Sequence, residues 1–279
     1  KVFRTSATTE EFWFSSDGGI NLSTDWATTH VAKTSGLGAV NFWGMDQGWN
    51  DDIIVGGRYH HGNAASNNLY GVGNFLSLGG GESATGYVNY SPERKTYFSD
   101  QDGIVIPEQF DGIATRFSVD IFPNESYYDN ASSRIMFDPF YWNVAYLGKD
   151  NILYKSTDGG SSYAPLYTFG SNPEDKVYWM EQCPSSPNVF YVQQVVANVS
   201  RLYKSTDGGL TFTQITLPQS RREMYFTVHH ENPDVLWIAY TSGSNGNKVY
   251  RSDNAGGSWN NITTVALNNQ AIKAIAHQA

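Results

Sequence analysis

Short apolar stretches separated by polar turns recur along the whole chain. Such stretches open near residues 39, 85, 133, 176, 222 and 271, in steps of 46, 48, 43, 46 and 49 residues. After each complete opening stretch comes a polar turn, usually with proline, and then a second, aromatic-rich stretch. Residues 176–180 lead through Pro184 and Pro187 to 189–192, residues 222–228 through Pro233 to 235–240, and residues 133–137 through Pro139 to 142–147. Further upstream, 85–90 leads to 95–99 and 39–43 leads to 53–57. Short strands punctuated in this way predict an all-β repeat with almost no helix. Each opening strand is expected to be innermost in its unit and apolar on both faces, because it packs between neighbouring units.

A sharper repeat lies inside this pattern. Leu202-Tyr203-Lys204-Ser205-Thr206-Asp207-Gly208-Gly209-Leu210-Thr211-Phe212 has a near copy at 153–163 and a third at 249–259, where Asn254 replaces Asp. Asp158 and Asp207 are 49 residues apart, and Asp207 and Asn254 are 47 apart. A fixed period of this length means units that stack to share a core. The physics of the turn is local. The Asp or Asn side chain accepts hydrogen bonds from backbone N–H groups a few residues on, glycines supply positive φ, and the closing aromatic enters the core. The turn residues are therefore Ser156, Asp158 and Gly160; Ser205, Asp207 and Gly209; and Ser252, Asn254, Gly256 and Trp259. An N-terminal copy is read at Ser23 and Asp25, with Ala27 and His30 in place of Gly and the aromatic. Its register, 14 residues before the stretch at 39, favours it over the alternative at Asp17, which then sits in the preceding turn. The units opening at 39 and 85 lack the turn motif, and 68–75 and 103–108 occupy its place.

This motif resembles the Asp-box hairpin of β-propellers, found in sialidases, xyloglucanases, the sortilin family and many secreted bacterial proteins. The resemblance implies an all-β propeller of about six four-stranded blades, with residues 1–279 as one domain of a longer chain. In those families the boxes are structural turns on the blade periphery, so they imply fold and not activity. Residues 11–112 also resemble a propeller segment of large secreted bacterial proteins with C-terminal sorting domains. The matching residues are Phe12-Trp13-Phe14-Ser15-Ser16-Asp17-Gly18-Gly19, Ile53-Ile54-Val55-Gly56-Gly57 and Leu78-Gly79-Gly80-Gly81-Glu82, with Glu82 where that family usually has Asp. A secreted or cell-surface location follows from this resemblance. Residues 1–38 are expected to supply only the later strands of a blade, and 271–279 only an opening strand. Either these pieces pair, 271–277 against 12–16, and close a ring of six, or the chain is a section of something longer.

Composition supports an all-β protein rich in turns: 15% aromatic, 16% charged and 27 glycines. The net charge of −9 argues against nucleic acid and against an anionic membrane surface. Cys183 is the single cysteine, so no intrachain disulfide or cysteine metal cluster can form, unlike the sortilin-type receptors. No apolar run approaches 18 residues, so no transmembrane helix is predicted. The opening Lys1-Val2-Phe3-Arg4-Thr5 carries no signal peptide and reads as a cut or processed terminus.

Candidate chemistry is sparse. The Arg-Ile-Pro motif of sialidases is absent; Phe3-Arg4-Thr5 comes nearest. A xyloglucanase-like site needs two carboxylates across a cleft, and Asp46, Asp51, Asp52, Glu82, Asp100 and Asp102 are the available members. Carboxylates in turns are more often solvated or capping. The adjacent His60 and His61 of a strand point to opposite faces and do not share a metal. That strand end gives the expected ligand rim of Trp49, Arg58, His60 and Glu82. His229-His230, at a proline turn, reads as structural. The many aromatics are assigned to blade cores before any carbohydrate platform. Sequons stand at Asn21, Asn124, Asn130, Asn198 and Asn261. The expected function is a non-catalytic binding or scaffold module with a protein or glycan ligand and no cofactor; the alternative is a glycoside hydrolase.

Overall fold

The computed structural model of the protein describes residues 2–4, 10–16, 19–33, 42–48, 52–58, 61–81, 86–123 and 132–277. They form six four-stranded antiparallel sheets, each from four successive strands. Blade 1 holds β1 (Val2–Arg4), β2 (Glu10–Ser16), β3 (Gly19–Ser23) and β4 (Val31–Ala32). Blade 2 holds β5 (Phe42–Gln47), β6 (Ile54–Arg58), β7 (Gly62–Ser66) and β8 (Leu76–Gly79). Blade 3 holds β9 (Tyr87–Val88), β10 (Lys95–Phe98), β11 (Gln101–Val105) and β12 (Thr115–Phe117). Blade 4 holds β13 (Met136–Phe137), β14 (Ala145–Lys149), β15 (Ile152–Ser156) and β16 (Ala164–Thr168). Blade 5 holds β17 (Val177–Cys183), β18 (Ser186–Val196), β19 (Val199–Ser205) and β20 (Thr213–Ile215). Blade 6 holds β21 (Met224–Val228), β22 (Leu236–Tyr240), β23 (Val249–Ser252) and β24 (Asn260–Asn261). Two single-turn 3-10 helices, Asn68–Tyr70 and Val265–Leu267, are the only helices of the described residues. The architecture is a six-bladed β-propeller.

Opening strands of neighbouring blades approach one another, β5 with β9 and β17 with β21. The apolar cores lie between blades. Ile53, Val55 and Leu78 of blade 2 meet Val88, Phe98 and Ile104 of blade 3. Tyr87 and Tyr97 meet Ile135 and Phe137 of blade 4. Tyr146, Leu153 and Phe169 meet Met180, Phe190 and Val192 of blade 5. Tyr191, Leu202 and Ile215 meet Met224, Phe226 and Ile238 of blade 6. Each such side chain contributes roughly 1.5–3 kcal/mol on full burial, so each blade depends on its neighbour for most of its stabilisation.

Three expectations need correction. Residues 1–38 do not supply only the later strands of a blade, because Val2–Arg4 pairs with Glu10–Phe12 as that blade's first strand. Residues 271–277 form no strand. A strand needs an open edge to pair with, and both ladders of β2 are already taken, by β1 on its inner side and β3 on the other. The segment is held by side chains instead: the Lys248 Nζ donates to the Gln270 carbonyl, and the His277 ring stacks on Trp237 with centroids 4.9 Å apart. The inner strands are also not apolar on both faces, since β5 carries Asp46 and β17 carries Glu181. These carboxylates bond the next blade's backbone, as described below.

The Ser-x-Asp turn joins the third and fourth strands of blades 1, 4, 5 and 6 with one bonding pattern. In blade 5 the Ser205 hydroxyl donates to Asp207 Oδ1 at 2.7 Å and accepts from the Gly209 N–H at 2.9 Å. The Thr211 amide and hydroxyl then donate to the two Asp207 oxygens at 2.9 and 2.6 Å. Ser156, Asp158, Gly160 and Ser162 repeat this in blade 4, and Ser23, Asp25, Ala27 and Thr29 in blade 1. Asn254 keeps the amide bond from Ser258 at 2.8 Å but reverses the other, its Nδ2 donating to the Ser258 hydroxyl. The serine hydroxyls at 23, 156, 205 and 252 are all buried.

Each turn also touches its surroundings. The N–H groups of Gly159, Gly208 and Ala255 donate to the carbonyls of Asn143, Asn188 and Asp234, which lie just before or near the start of the second strand of the same blade. The closing aromatics reach the preceding blade: Phe212 packs on Tyr167 and Phe169, and the Trp259 indole donates to the Thr216 carbonyl at 2.9 Å. Gly256 has φ +84, and a Cβ there would lie 2.4 Å from Ile215 Cγ2 of blade 5. The glycine is thus demanded twice, by conformation and by close approach.

Gly256→Ala is expected to destabilise the protein by roughly 2–4 kcal/mol in denaturant unfolding, from positive φ and overpacking together. Gly73→Ala, with φ +80 and open space around it, is expected to cost only about 1 kcal/mol. Equal losses would refute the inter-blade contact as the larger cause.

The turn carboxylates are held acidic. Bonds from the Thr29 hydroxyl and amide hold the Asp25 carboxyl down to about 2, and those from Thr211 do the same for Asp207. Burial raises Asp158, but the bonds from Ser162 and Ser156 outweigh it and the net shift is downward. A depressed carboxyl contributes stability above its unfolded value and loses it as pH falls through the folded one. The protection of the Thr29 and Thr211 amides, taken relative to the intrinsic exchange rate at each pH, is therefore expected to fall between pH about 4 and about 2, and that of the Ser162 amide to fall with acid in the same direction. The Ser258 amide, bonded to the non-titrating Asn254, is expected to stay protected. Parallel loss at Ser258 would show that acid acts on the whole fold and not on these turns.

Candidate functional site

The opening strands of blades 2–5 converge on a cavity of about 200 Å³ lined by Asp46, Tyr87, Tyr90, Arg134, Trp179 and Met180, among others. Its centre is Arg134, just before β13. The guanidinium lies 5.3 Å from the Tyr87 ring centroid and 4.9 Å from that of Trp179, and its Nε donates to the Tyr87 hydroxyl at 3.1 Å. Blades 3 and 5 each contribute one aromatic face, so the cation is fixed in orientation from both sides.

Two carboxylates feel this cation, and each ties one blade to the next. Asp46 Oδ2 accepts from the Val88 N–H of blade 3 at 2.8 Å. Glu181 Oε2 accepts from the Val228 N–H of blade 6 at 2.9 Å, and its Oε1 accepts from the Trp179 indole at 3.3 Å. Burial is the largest influence on both and raises both, against the bonds from Val88 and Val228 and the attraction of Arg134. Glu181 is pushed up to about 7. Such a group can exchange a proton near neutrality, but both its oxygens already accept from buried donors.

Of the residues expected to form a ligand rim, Arg58 alone lies among the described residues. Trp49, His60 and Glu82 lie outside the described residues, as do Asp17 and Asp51. Arg58 is bound within its own hairpin, donating from Nη2 to the His61 carbonyl at 2.8 Å and from Nε to the Gly62 carbonyl at 3.3 Å. Asp100 accepts from Gly81 N–H and from Asn63 Nδ2, bridging blades 3 and 2. Asp52 and Asp102 do not line the cavity. Structural turns are expected to hold Asp158 and Asp207 in their own hairpins and facing no pocket; Asp158 bonds its own turn but also borders a recess of about 160 Å³ between blades 3 and 4. Among the described residues no group of three or more His, Cys, Asp or Glu is arranged to hold a metal.

Arg134 and Glu181 went unread in the sequence. The available signal was a charge set in an opening strand otherwise apolar: Ser133-Arg134-Ile135-Met136-Phe137 and Tyr178-Trp179-Met180-Glu181. A charge at a position that must be buried requires a partner, and that makes it informative.

No family model and no curated protein sequence matches the chain. Solved structures do. A GH74 enzyme of Niastella koreensis superposes with TM-score 0.56 at 14% identity, covering 93% of this chain and 44% of that one. The β-propeller domain of Myceliophteria thermophila Cps50 (Swd1) superposes with TM-score 0.51 at 8% identity, covering 93% and 87%. The likeness is one of propeller fold. The chain spans less than half the length of the GH74 enzyme.

Because the folded state holds the Glu181 proton up to about 7 against an ordinary 4.5, this group alone lowers stability as pH rises through that window. The loss reaches about 3 kcal/mol, at about 1.4 kcal/mol per pH unit. Glu181→Gln is expected to flatten the stability profile between pH 5 and 8. A profile that the substitution leaves unchanged would overturn this assignment.

Proposed function

We propose that the chain is a non-catalytic Asp-box propeller that serves as a binding or scaffold module with a protein or glycan ligand. The observation that carries this is the state of the two carboxylates that feel Arg134, of which Asp46 lines the cavity. Asp46 and Glu181 are bound to the backbone of the neighbouring blade, an arrangement that fits inter-blade fastening, and among the described residues no second carboxylate lines the cavity opposite Asp46. The Asp-box assignment is supported by the Ser-x-Asp turns, whose bonds recur in four blades. The acidic net charge of −9 favours a ligand other than nucleic acid. With the resemblance of residues 11–112, we read the module as secreted or displayed at a cell surface, beside further domains of the same chain.

The test is a panel of fluorogenic glycosides assayed with the purified chain. No turnover above background is expected. Turnover abolished by Asp46→Asn or Glu181→Gln, with the fold retained by circular dichroism, would overturn the reading and make the cavity a glycosidase site.

A further inference from the structure

The turn between β13 and β14 displays three successive aromatic side chains: Phe140, Tyr141 and Trp142 are 59%, 65% and 47% exposed. Exposing three large rings in a row is unfavourable in water and marks a surface that meets something. The fold does not require them. The corresponding turns of blades 3, 5 and 6 carry Ser91-Pro92-Glu93, Ser185-Ser186-Pro187 and Glu231-Asn232-Pro233. No ring of the three pairs with another aromatic ring among the described residues.

The turn is also held in place. Buried Asp138 accepts from the Phe140 and Tyr141 amides, both at 2.9 Å, and from Gln182 Nε2 of blade 5 at 3.1 Å. From the other side Asn89 Nδ2 of blade 3 donates to the Trp142 carbonyl at 3.1 Å. The Val144 amide closes the turn on the Tyr141 carbonyl at 2.7 Å. Two neighbouring blades thus fix the segment, so a ligand need not order it on binding.

Beside Trp142 lies the recess of about 160 Å³ bordered by Glu93, Lys95, Asn143 and Asp158. We propose that Trp142 and this recess form a binding subsite for a neutral saccharide chain, one sugar ring on the indole and its hydroxyls toward the recess. The negative face of an aromatic ring attracts the C–H face of a pyranose. Carboxylates accept from sugar hydroxyls, and the Lys95 ammonium retains donors beyond its bond to Glu93 at 2.6 Å. A protein partner's apolar anchor would find no aliphatic wall there, since the remaining lining is Asn89, Ser91 and Gly159. Glu93 and Lys95 cancel in charge, and Asp158 leaves the recess negative, which disfavours uronates and other acidic sugars.

This inference rests on the binding-module reading and names its ligand class. It is tested by calorimetric titration of the whole chain with cellohexaose, maltohexaose, chitohexaose and hexagalacturonate. At least one neutral hexasaccharide is expected to bind, and Trp142→Ala to weaken it roughly tenfold or more, as loss of a central aromatic contact does. Trp26→Ala, at an exposed turn of blade 1, is expected to leave affinity unchanged, with melting temperatures recorded for both variants. Absence of binding to all three neutral chains, binding indifferent to Trp142→Ala, or equal binding of hexagalacturonate would overturn the proposal. Cleavage of a bound neutral chain would overturn the non-catalytic reading alone and leave this subsite standing.

Discussion

The structure depends on a buried serine hydroxyl that serves three groups at once. Ser205 Oγ donates to the Asp207 carboxylate and accepts from the amides of Asp207 and Gly209. Without it, the buried Gly209 N–H would lose its acceptor, a cost of order 1–3 kcal/mol, and the part-buried Asp207 N–H would lose one as well. The turn so formed carries the glycine and the aromatic that press on the preceding blade. A local hydrogen-bond knot thereby fixes a contact between sheets.

The inner ends of the blades use a different fastening. There β9 and β13 have two residues each, so in blades 3 and 4 ladder bonds alone tie little together. Asp46 and Glu181 reach across to the Val88 and Val228 amides, while Arg134 spans from blade 3 to blade 5 through Tyr87 and Trp179. Burying these charges is unfavourable in itself. It is offset by the backbone bonds and by the attraction among the three groups, at the price of a Glu181 that titrates near neutrality.

Blade 4 stands out because both its turns on one face have a second character. Its Ser-x-Asp turn borders a recess as well as closing a hairpin, and its neighbouring turn exposes aromatics where equivalent turns are polar. The same rigid scaffold that stacks the blades holds these side chains in fixed positions. Departure from the repeat, more than the repeat, points to function here, since positions that stacking requires recur from blade to blade.

The sequence by itself determined the blade period, the strand order within blades 2–6 and the four Ser-x-Asp turns. These features are local: the turn bonds join residues two to four apart, and the strands follow from alternating apolar runs and proline turns. Even the degenerate copy at Ser23 and Asp25 was legible, because the bonding needs only the hydroxyl, the carboxylate and positive φ, which Ala27 adopts at 65°. Only the tertiary structure decided what meets across blades. Asp46 and Val88 are 42 residues apart, Arg134 and Tyr87 47, Glu181 and Val228 47, and Tyr97 and Gly159 62. A charge in an apolar opening strand shows locally that a partner is needed, but no local pattern names the partner one blade away, nor tells an exposed Trp142 from a buried core aromatic. The fate of residues 271–277 was decided there as well. Their apolar alternation suits a strand, but strand formation depends on a free edge, and an edge belongs to the assembled sheet and not to the segment.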